Sequence, residues 1–226
     1  MKLLKHQHWH ALLLVLLLNA VYYLVRTHPR VLEGSLWEIP TRAWLLMALA
    51  VPVVHQVYVL LCWRAELLHK AISKRWGPKG FAYYKVGFAI LILLRPVTIL
   101  LLAFANAFTF QLGWNAALLI SLLLFAQAAW LFYSVRRYFG IDRAFGIDHF
   151  QPETYRRAPM VKKGIFRYTS NGMYWFGFLA LWIPGVLLRS EAAIVAALFN
   201  HLYIWVHFYF TELPDMKFIY GKNREP

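Results

Sequence analysis

Charged residues are scarce in this sequence. They make up 15% of its 226 residues, whereas hydrophobic residues make up 61%. Soluble domains usually carry about a quarter charged residues, so the composition excludes an ordinary water-soluble domain. The single cysteine, Cys62, excludes an intrachain disulfide. No phosphate-binding G-x-x-x-x-G-K-[ST] loop and no dinucleotide-binding G-x-G-x-x-G motif occurs either.

Metal-ligand spacing is also absent. His6, His8 and His10 alternate near the N-terminus, but on a helix they point in different directions and have no acidic or cysteine partner nearby. We interpret them as histidines at the membrane interface and predict no metal site.

Long apolar runs fill most of the chain. A helix needs roughly 20 mainly apolar residues to cross a bilayer, and six runs approach this length. They indicate an all-α, polytopic transmembrane helical bundle formed by residues 1–226. Four spans occupy 1–135, and 136–226 hold a basic loop and two further spans. The predicted spans are residues 9–25, 43–63, 86–108, 114–135, 172–188 and 192–210.

The net charge of +14 is concentrated in two connections. Residues 64–85 hold six Lys or Arg against one acidic residue, and residues 136–167 hold eight against three. Cytoplasmic loops of membrane proteins carry such an excess. With six spans, both basic loops and both termini fall on one side, which predicts an N-in, C-in topology. The clustering therefore favours a membrane protein over a nucleic-acid-binding one.

Polar residues inside predicted spans are costly and mark candidate sites. Arg95 precedes Pro96 near the middle of the third run. It either faces a polar cavity and binds an anionic group of a substrate, or extends along the helix towards the membrane surface. In the last run, Asn200 and His207 share one face with Tyr203 and Thr211. That face is either the wall of a substrate site or a set of interhelical hydrogen bonds.

The last third of the chain carries motifs. Val161-x-x-Gly164-Ile165-Phe166-Arg167-Tyr168 resembles the V-x-x-G-P-Y-R-Y stretch of isoprenylcysteine carboxyl methyltransferases and their bacterial relatives. Residues 170–175, Ser-Asn-Gly-Met-Tyr-Trp, are similar to the N-P-M-Y-W of phosphatidylethanolamine N-methyltransferases, with Gly172 in place of proline. One span later, where that family has a glutamate pair, a proline and an ending in I-Y, residues 211–221 keep Glu212 alone of the pair.

The resemblance, which covers about residues 139–221, implies a membrane methyltransferase that uses S-adenosylmethionine. It implies cofactor contacts from Glu212, which could accept hydrogen bonds from the cofactor's amine or ribose, and from Asn171, which could cap the fifth span. The remaining residues that the resemblance assigns to the cofactor are Gly164, Arg167 and Tyr174.

An amine acceptor must be unprotonated when it attacks the methyl group, so a base is needed. His149, beside Asp148, or Glu212 could take that proton. Arg156 in the basic loop could hold a lipid phosphate, with Arg95 and His207 as further substrate contacts; alternatively, the basic loop residues set the topology and bind anionic headgroups non-specifically.

The expected acceptor is a lipid amine of the phosphatidylethanolamine type. The lipid would enter the site from the membrane, and the site would face the cytoplasm. A bacterial inner membrane is the expected location. Three alternatives stay open: a methyltransferase for an isoprenylcysteine or small lipophilic thiol, a sterol-reductase-like NADPH enzyme, and a non-catalytic lipid-binding protein. The sequence does not indicate an oligomeric state.

Overall fold

The computed structural model describes residues 3–221, whose regular secondary structure is helical apart from one short hairpin of Ser35–Leu36 (β1) and Ile39–Pro40 (β2). The α-helices are α1 (Gln7–Thr27), α2 (Thr41–His69), α3 (Ala71–Trp76), α4 (Gly80–Ala105), α5 (Trp114–Ser134), α6 (Ile141–Ala144), α7 (Pro152–Tyr155), α8 (Gly172–Phe176), α9 (Ile183–Leu187), α10 (Glu191–His207) and α11 (Leu213–Tyr220). One π-helical segment, Val135–Phe139, continues α5, and another, Phe208–Glu212, joins α10 to α11.

Within residues 3–221, five helical segments are long and apolar enough to cross a membrane, which confirms the all-α polytopic bundle. They correspond to the first four predicted spans and the last one. Exposed leucine, isoleucine and phenylalanine side chains on α4 and α5 provide a surface suited to lipid tails. The five segments are Gln7–Thr27, Thr41–His69, Ala71–Ala105, Trp114–Phe139 and Glu191–Tyr220.

The fifth predicted span differs from a regular helix. The shorter apolar segment Gly172–Leu187 consists of α8, a 3₁₀ turn at Gly177–Leu181, and α9. Glycine lets this segment approach its neighbours closely, since a Cβ on Gly177 would lie 2.8 Å from the Leu131 side chain of α5. Pro184 lies in the first turn of α9, where its missing N–H is tolerated. The segment is therefore an interrupted helix that packs closely against α5.

Helix α10 lies at the centre of the packed bundle. Its alanines at positions 192, 193, 196 and 197 are fully buried in the main hydrophobic core, together with residues of α2 and α4. Small side chains allow helices to approach closely in a membrane, where lipid tails provide no hydrophobic driving force for association. Asn200 adds a weak interhelical bond, because its Nδ2 donates to the Ala48 carbonyl at 3.4 Å as well as to Ala196 of its own helix at 2.9 Å. Asn200 is thus part of the interhelical contacts.

The two basic loops lie at the same end of the bundle, which we call the basic face (residues 64–85, 136–171 and 212–221). Lys85 pairs with Asp142 across it at 2.8 Å. At the opposite end, buried Asn106 donates to the Arg30 and Glu33 carbonyls, and its Oδ1 accepts from Ser190 and from the backbone of Ala192. One amide side chain thereby joins three connections at that end.

The interpretation of His10 as an interfacial residue was wrong. His10 is buried in the bundle, where its Nε2 lies 2.9 Å from the Tyr203 hydroxyl and its Nδ1 lies 3.0 Å from Oε1 of Gln7. Tyr203 comes from the far end of the chain, so the local histidine pattern could not reveal this contact.

The side of the membrane on which the basic face lies can be tested by cysteine labelling. We expect single cysteines at Lys79 or Arg157, both exposed on the basic face, to resist a membrane-impermeant maleimide added to intact cells, and one at exposed Asn115 to react. The background carries Cys62→Ser. Labelling of a cysteine at position 157 from outside would contradict the predicted cytoplasmic location of the basic face.

Candidate active site

A cavity opens on the basic face between the C-terminal helices and the loop that follows α5. Its wall combines acidic, amide and aromatic side chains with several methionines. The lining residues are Trp63, Phe139, Arg143, Ala144, Gly146, Asp148, His149, Ala158, Met160, Val161, Phe166, Ser170, Asn171, Met173, Tyr174, Phe208, Glu212, Met216 and Tyr220. Four predicted site residues, His149, Asn171, Tyr174 and Glu212, therefore meet in one place.

Glu212 is positioned by an irregularity at the end of α10. The helix widens to a π-helical turn at Phe208–Glu212, and Pro214 lies in the first turn of α11, which follows directly. Such turns insert an extra residue and redirect a side chain, and they are frequent at functional sites. The Tyr174 hydroxyl donates a hydrogen bond to Oε2 of Glu212. The last two membrane segments thus meet through one tyrosine and one carboxylate.

Asn171 lies at the start of the fifth membrane segment, but its side chain makes no capping hydrogen bond. The predicted capping role is therefore wrong. The helix that it precedes has only five residues, so it offers little of the aligned backbone dipole expected of a full span. With its side chain free of the backbone and in the cavity wall, Asn171 is available to a ligand.

Asp148 and His149 form a buried ion pair on the other side of the cavity, with 3.0 Å between Oδ1 and Nδ1. The Tyr220 hydroxyl donates to Oδ2 of Asp148 at 3.0 Å. The His149 ring stacks on Trp63, with 4.0 Å between centroids. Gly146 makes this stack possible, because it has a φ of +84° and a Cβ there would lie 2.5 Å from the indole.

Two opposing effects set the charge of this pair. Burial by itself disfavours an imidazolium, but the adjacent Asp148 carboxylate and the nearby Asp215 outweigh it and raise the pKa of His149 to about 9. Burial likewise disfavours ionised Asp148, but His149 and the Tyr220 hydroxyl hold the pKa of that carboxyl below its usual value. At neutral pH the pair is therefore ionised. Because His149 is already protonated, it cannot accept a proton as a general base.

Two residues of the first motif do not line the cavity. Gly164 has a φ of +59° and packs against α5, where an added Cβ would lie 2.5 Å from Oγ of Ser134. The same Ser134 hydroxyl accepts from the Ile165 backbone N–H at 3.1 Å. Gly164 therefore shapes the loop, and Arg167 is exposed. Cofactor contacts from these two residues stay predictions.

The three residues predicted to bind substrate occupy two locations outside the cavity wall. Arg95 and His207 are buried within the bundle. Arg156 is exposed on the basic face, where it forms an ion pair with Glu153 at 3.6 Å and donates to the Ile219 carbonyl at 3.3 Å.

Three residues that support the site were not predicted. Trp63 and Arg64 lie on α2, and Asp215 lies one turn after Glu212. Arg64 Nε donates to Asp215 Oδ1 at 3.0 Å, while the other Asp215 oxygen lies 3.7 Å from Nε2 of His149. For Asp215, its place within the quoted C-terminal stretch was an available signal. For the two α2 residues no local signal existed, because a charge and an aromatic ring at a span end suggest interfacial anchors.

The cavity wall and its flanking helices lie largely within the part of the chain that matches a known family. Residues 116–223 match the phospholipid methyltransferase (PEMT) family. The predicted resemblance to membrane methyltransferases is thereby confirmed for the C-terminal part of the chain. Neither the curated proteins nor the solved structures include a match to this chain. Trp63 and Arg64 fall outside the matched region.

The His149–Asp148 pair should make stability depend on pH in the alkaline range. Because the pKa of His149 rises from 6.5 to about 9 on folding, its stabilising contribution is complete below about pH 6.5 and is lost as the pH rises through about 9. We expect the melting temperature of the detergent-solubilised protein to fall by several degrees between pH 7 and pH 9.5, and His149→Gln to flatten this part of the profile. Parallel profiles for the two proteins would contradict the assignment.

Proposed function

We propose that this protein transfers a methyl group from S-adenosylmethionine to the amine of a phosphatidylethanolamine-type phospholipid. The observation that carries the proposal is the Tyr174–Glu212 contact, which joins the two family-like motifs at the wall of one cavity. The cavity would face the cytoplasm, where the cofactor is made, and a bacterial inner membrane is the location we favour.

The side chains in the cavity wall fit this cofactor chemically. Its sulfonium and ammonium groups are cations, and Glu212 offers a carboxylate whose hydrogen-bond partner is a neutral hydroxyl. Phe139, Phe166 and Phe208 offer flat apolar faces for an adenine ring or a cationic methyl group. Asn171 has a free amide for the ribose or the amino-acid end of the cofactor.

The chemistry demands positioning more than covalent work. The cofactor supplies an activated methyl group, whose bond to sulfur breaks as the bond to the acceptor nitrogen forms. The protein has to align the nitrogen with that methyl group and keep water away. The apolar part of the cavity wall, including Met173 and Phe208, suits the second task.

Glu212 is the better candidate for the group that receives the acceptor's proton. Both Glu212 and His149 were predicted as bases, but His149 is protonated at neutral pH and its charge pairs with Asp148. In this proposal His149 holds Asp148 and the cavity loop in position, and Glu212 accepts from the amine while Tyr174 orients it.

The phospholipid amine is favoured over an isoprenylcysteine or a lipophilic thiol for two reasons. The motif at residues 170–175 is closer to the phospholipid branch, and the family matched by residues 116–223 is the phospholipid one. Arginines exposed on the basic face, such as Arg156 and Arg157, suit a surface of phosphate headgroups.

Cofactor binding can be tested without catalysis. We expect Glu212→Gln and Asn171→Ala to weaken binding of S-adenosylhomocysteine about ten- to a hundredfold, because each removes a hydrogen bond to a charged or polar part of the ligand. Calorimetry in detergent measures the affinity. Glu153→Gln and Asn115→Ala make the same chemical changes at exposed positions and should bind as the wild type does. Unchanged affinity in both site variants would refute the assignment.

The acceptor can be identified by feeding methyl-labelled methionine to cells that express the protein and analysing their lipids by mass spectrometry. We expect label in mono-, di- or trimethylated phosphatidylethanolamine, and its loss in Glu212→Gln but not in Glu153→Gln. Label found instead in a thioether or a methyl ester would leave the methyltransferase assignment intact and overturn the acceptor.

A further inference from the structure

A group of buried polar side chains lies inside the bundle, outside the cavity wall. Arg95 of α4 is 1% exposed, and its three guanidinium nitrogens have no hydrogen-bond partner among residues 3–221. His55 of α2 and His207 of α10 are 2% exposed, and within the same described part of the chain both ring nitrogens of each also lack partners. We call Arg95, His55 and His207 the interior cluster.

Arg95 has aromatic and neutral surroundings. Its guanidinium lies over the Phe178 ring, 5.5 Å from the centroid, and it is close enough to His55, Tyr203 and His207 to interact with them electrostatically. The Tyr203 hydroxyl is already hydrogen-bonded to His10. Across the described chain, no carboxylate forms an ion pair with Arg95.

An arginine in this position needs a counter-charge. A guanidinium removed from water loses several kcal/mol of hydration, and burial is tolerated when a partner of opposite charge and good geometry replaces the water. The cation–π contact with Phe178 compensates for only a fraction of that loss. The nitrogens of the interior cluster are therefore suited to an anionic ligand from outside the chain.

The interior cluster lies next to the candidate active site, on its membrane side. The His207 ring is 6.0 Å from the Trp63 ring, which stacks on His149 in the cavity wall. His207 precedes Glu212 by five residues, and Phe178 follows Tyr174 by four. Side chains on a helix tilt towards its N-terminus, and the N-terminal end of α4 is the one that meets the basic face at Lys85 and Asp142. The Cα–Cβ bond of Arg95 is therefore tilted towards the end of the bundle that holds the cavity.

We propose that the interior cluster binds the phosphodiester of the acceptor phospholipid, with Arg95 as the main contact. This inference rests on the proposed function and adds a substrate subsite to it. A phosphodiester has one negative charge and several acceptor oxygens, which suits a guanidinium fork, and each neutral imidazole can add one N–H donor. In ethanolamine phospholipids a two-carbon bridge separates phosphate from amine, so a phosphate on Arg95 directs the amine towards Glu212.

The test measures equilibrium binding of short-chain lipids to the full-length protein in a non-ionic detergent. The probes are dihexanoyl phosphatidylethanolamine, dihexanoyl phosphatidylcholine, dihexanoylglycerol and inorganic phosphate. We expect the wild type to bind both phospholipids with similar affinity and at least about tenfold more tightly than the diacylglycerol, which lacks the phosphate. Inorganic phosphate that displaces the phospholipid at equal concentration would assign the site to free phosphate and overturn the proposal.

Variants of Arg95 provide the second arm. Arg95→Met should lower the affinity for both phospholipids at least about tenfold and leave the diacylglycerol unaffected. Arg189→Met removes an arginine at the opposite end of the bundle and should keep wild-type lipid binding. The thermal unfolding transition in the same detergent checks that each variant is folded. Wild-type phospholipid affinity in Arg95→Met would overturn the proposal.

If Arg95→Met does not fold, Arg95→Lys takes its place. Lysine keeps the charge but lacks the guanidinium fork, so we expect it to bind both phospholipids several-fold more weakly than the wild type and the diacylglycerol equally well. Wild-type phospholipid affinity in Arg95→Lys, or no preference for phospholipid over diacylglycerol in the wild type, would overturn the proposal. Because no methyl transfer is measured, Arg95-dependent binding of phosphatidylcholine without any labelled lipid in cells would refute the proposed reaction and leave the subsite standing.

Discussion

The arrangement of the basic face depends on one buried guanidinium. Arg64 is fully buried, and it connects the start of the chain, the end of α2 and the turn that follows α10. Removing one partner of a buried ion pair typically costs 3–5 kcal/mol, roughly, because the other charge is left without compensation. Here the same loss would also free backbone carbonyls at both ends of the chain. The partners of Arg64 are Asp215 and the carbonyls of Leu3, Lys5, Phe210 and Thr211.

The Arg64–Asp215 ion pair also connects α2 to the cavity wall. Asp215 uses one oxygen for Arg64 and turns the other towards His149, whose ring stacks on Trp63. The family match covers residues 116–223, yet Trp63 and Arg64 come from the half of the chain before it. The N-terminal helices are therefore more than a membrane anchor, since they supply an aromatic wall and the counter-charge that fixes the C-terminal motif.

Local sequence was enough to predict the membrane spans and part of the site. Span length and loop charge depend on nearby residues, so hydropathy predicted six spans, five of which are long helices. The motifs singled out Asn171, Tyr174 and Glu212, which the fold brings to one cavity wall. Contacts between distant residues could not be predicted in this way: Arg64 and Asp215 are 151 positions apart, and His10 and Tyr203 are 193 apart. The interruption of the fifth span was missed because its glycines matter only against neighbours such as Leu131, which a single apolar run does not reveal.

The distribution of charge explains why one site could accept both a cationic donor and an anionic lipid. Of the two carboxylates in the cavity wall, Asp148 is neutralised by His149, whereas Glu212 has the neutral Tyr174 hydroxyl as its partner. Of the buried arginines on α2 and α4, Arg64 has Asp215, whereas Arg95 has no acidic partner in the described chain. A carboxylate and a guanidinium that have no ion-pair partner in the described chain therefore lie in neighbouring parts of the bundle. A sulfonium and a reacting amine complement the first, and a phosphodiester complements the second, so binding both substrates would bring the methyl donor and the acceptor nitrogen together while neutralising the two charges that the protein leaves unpaired.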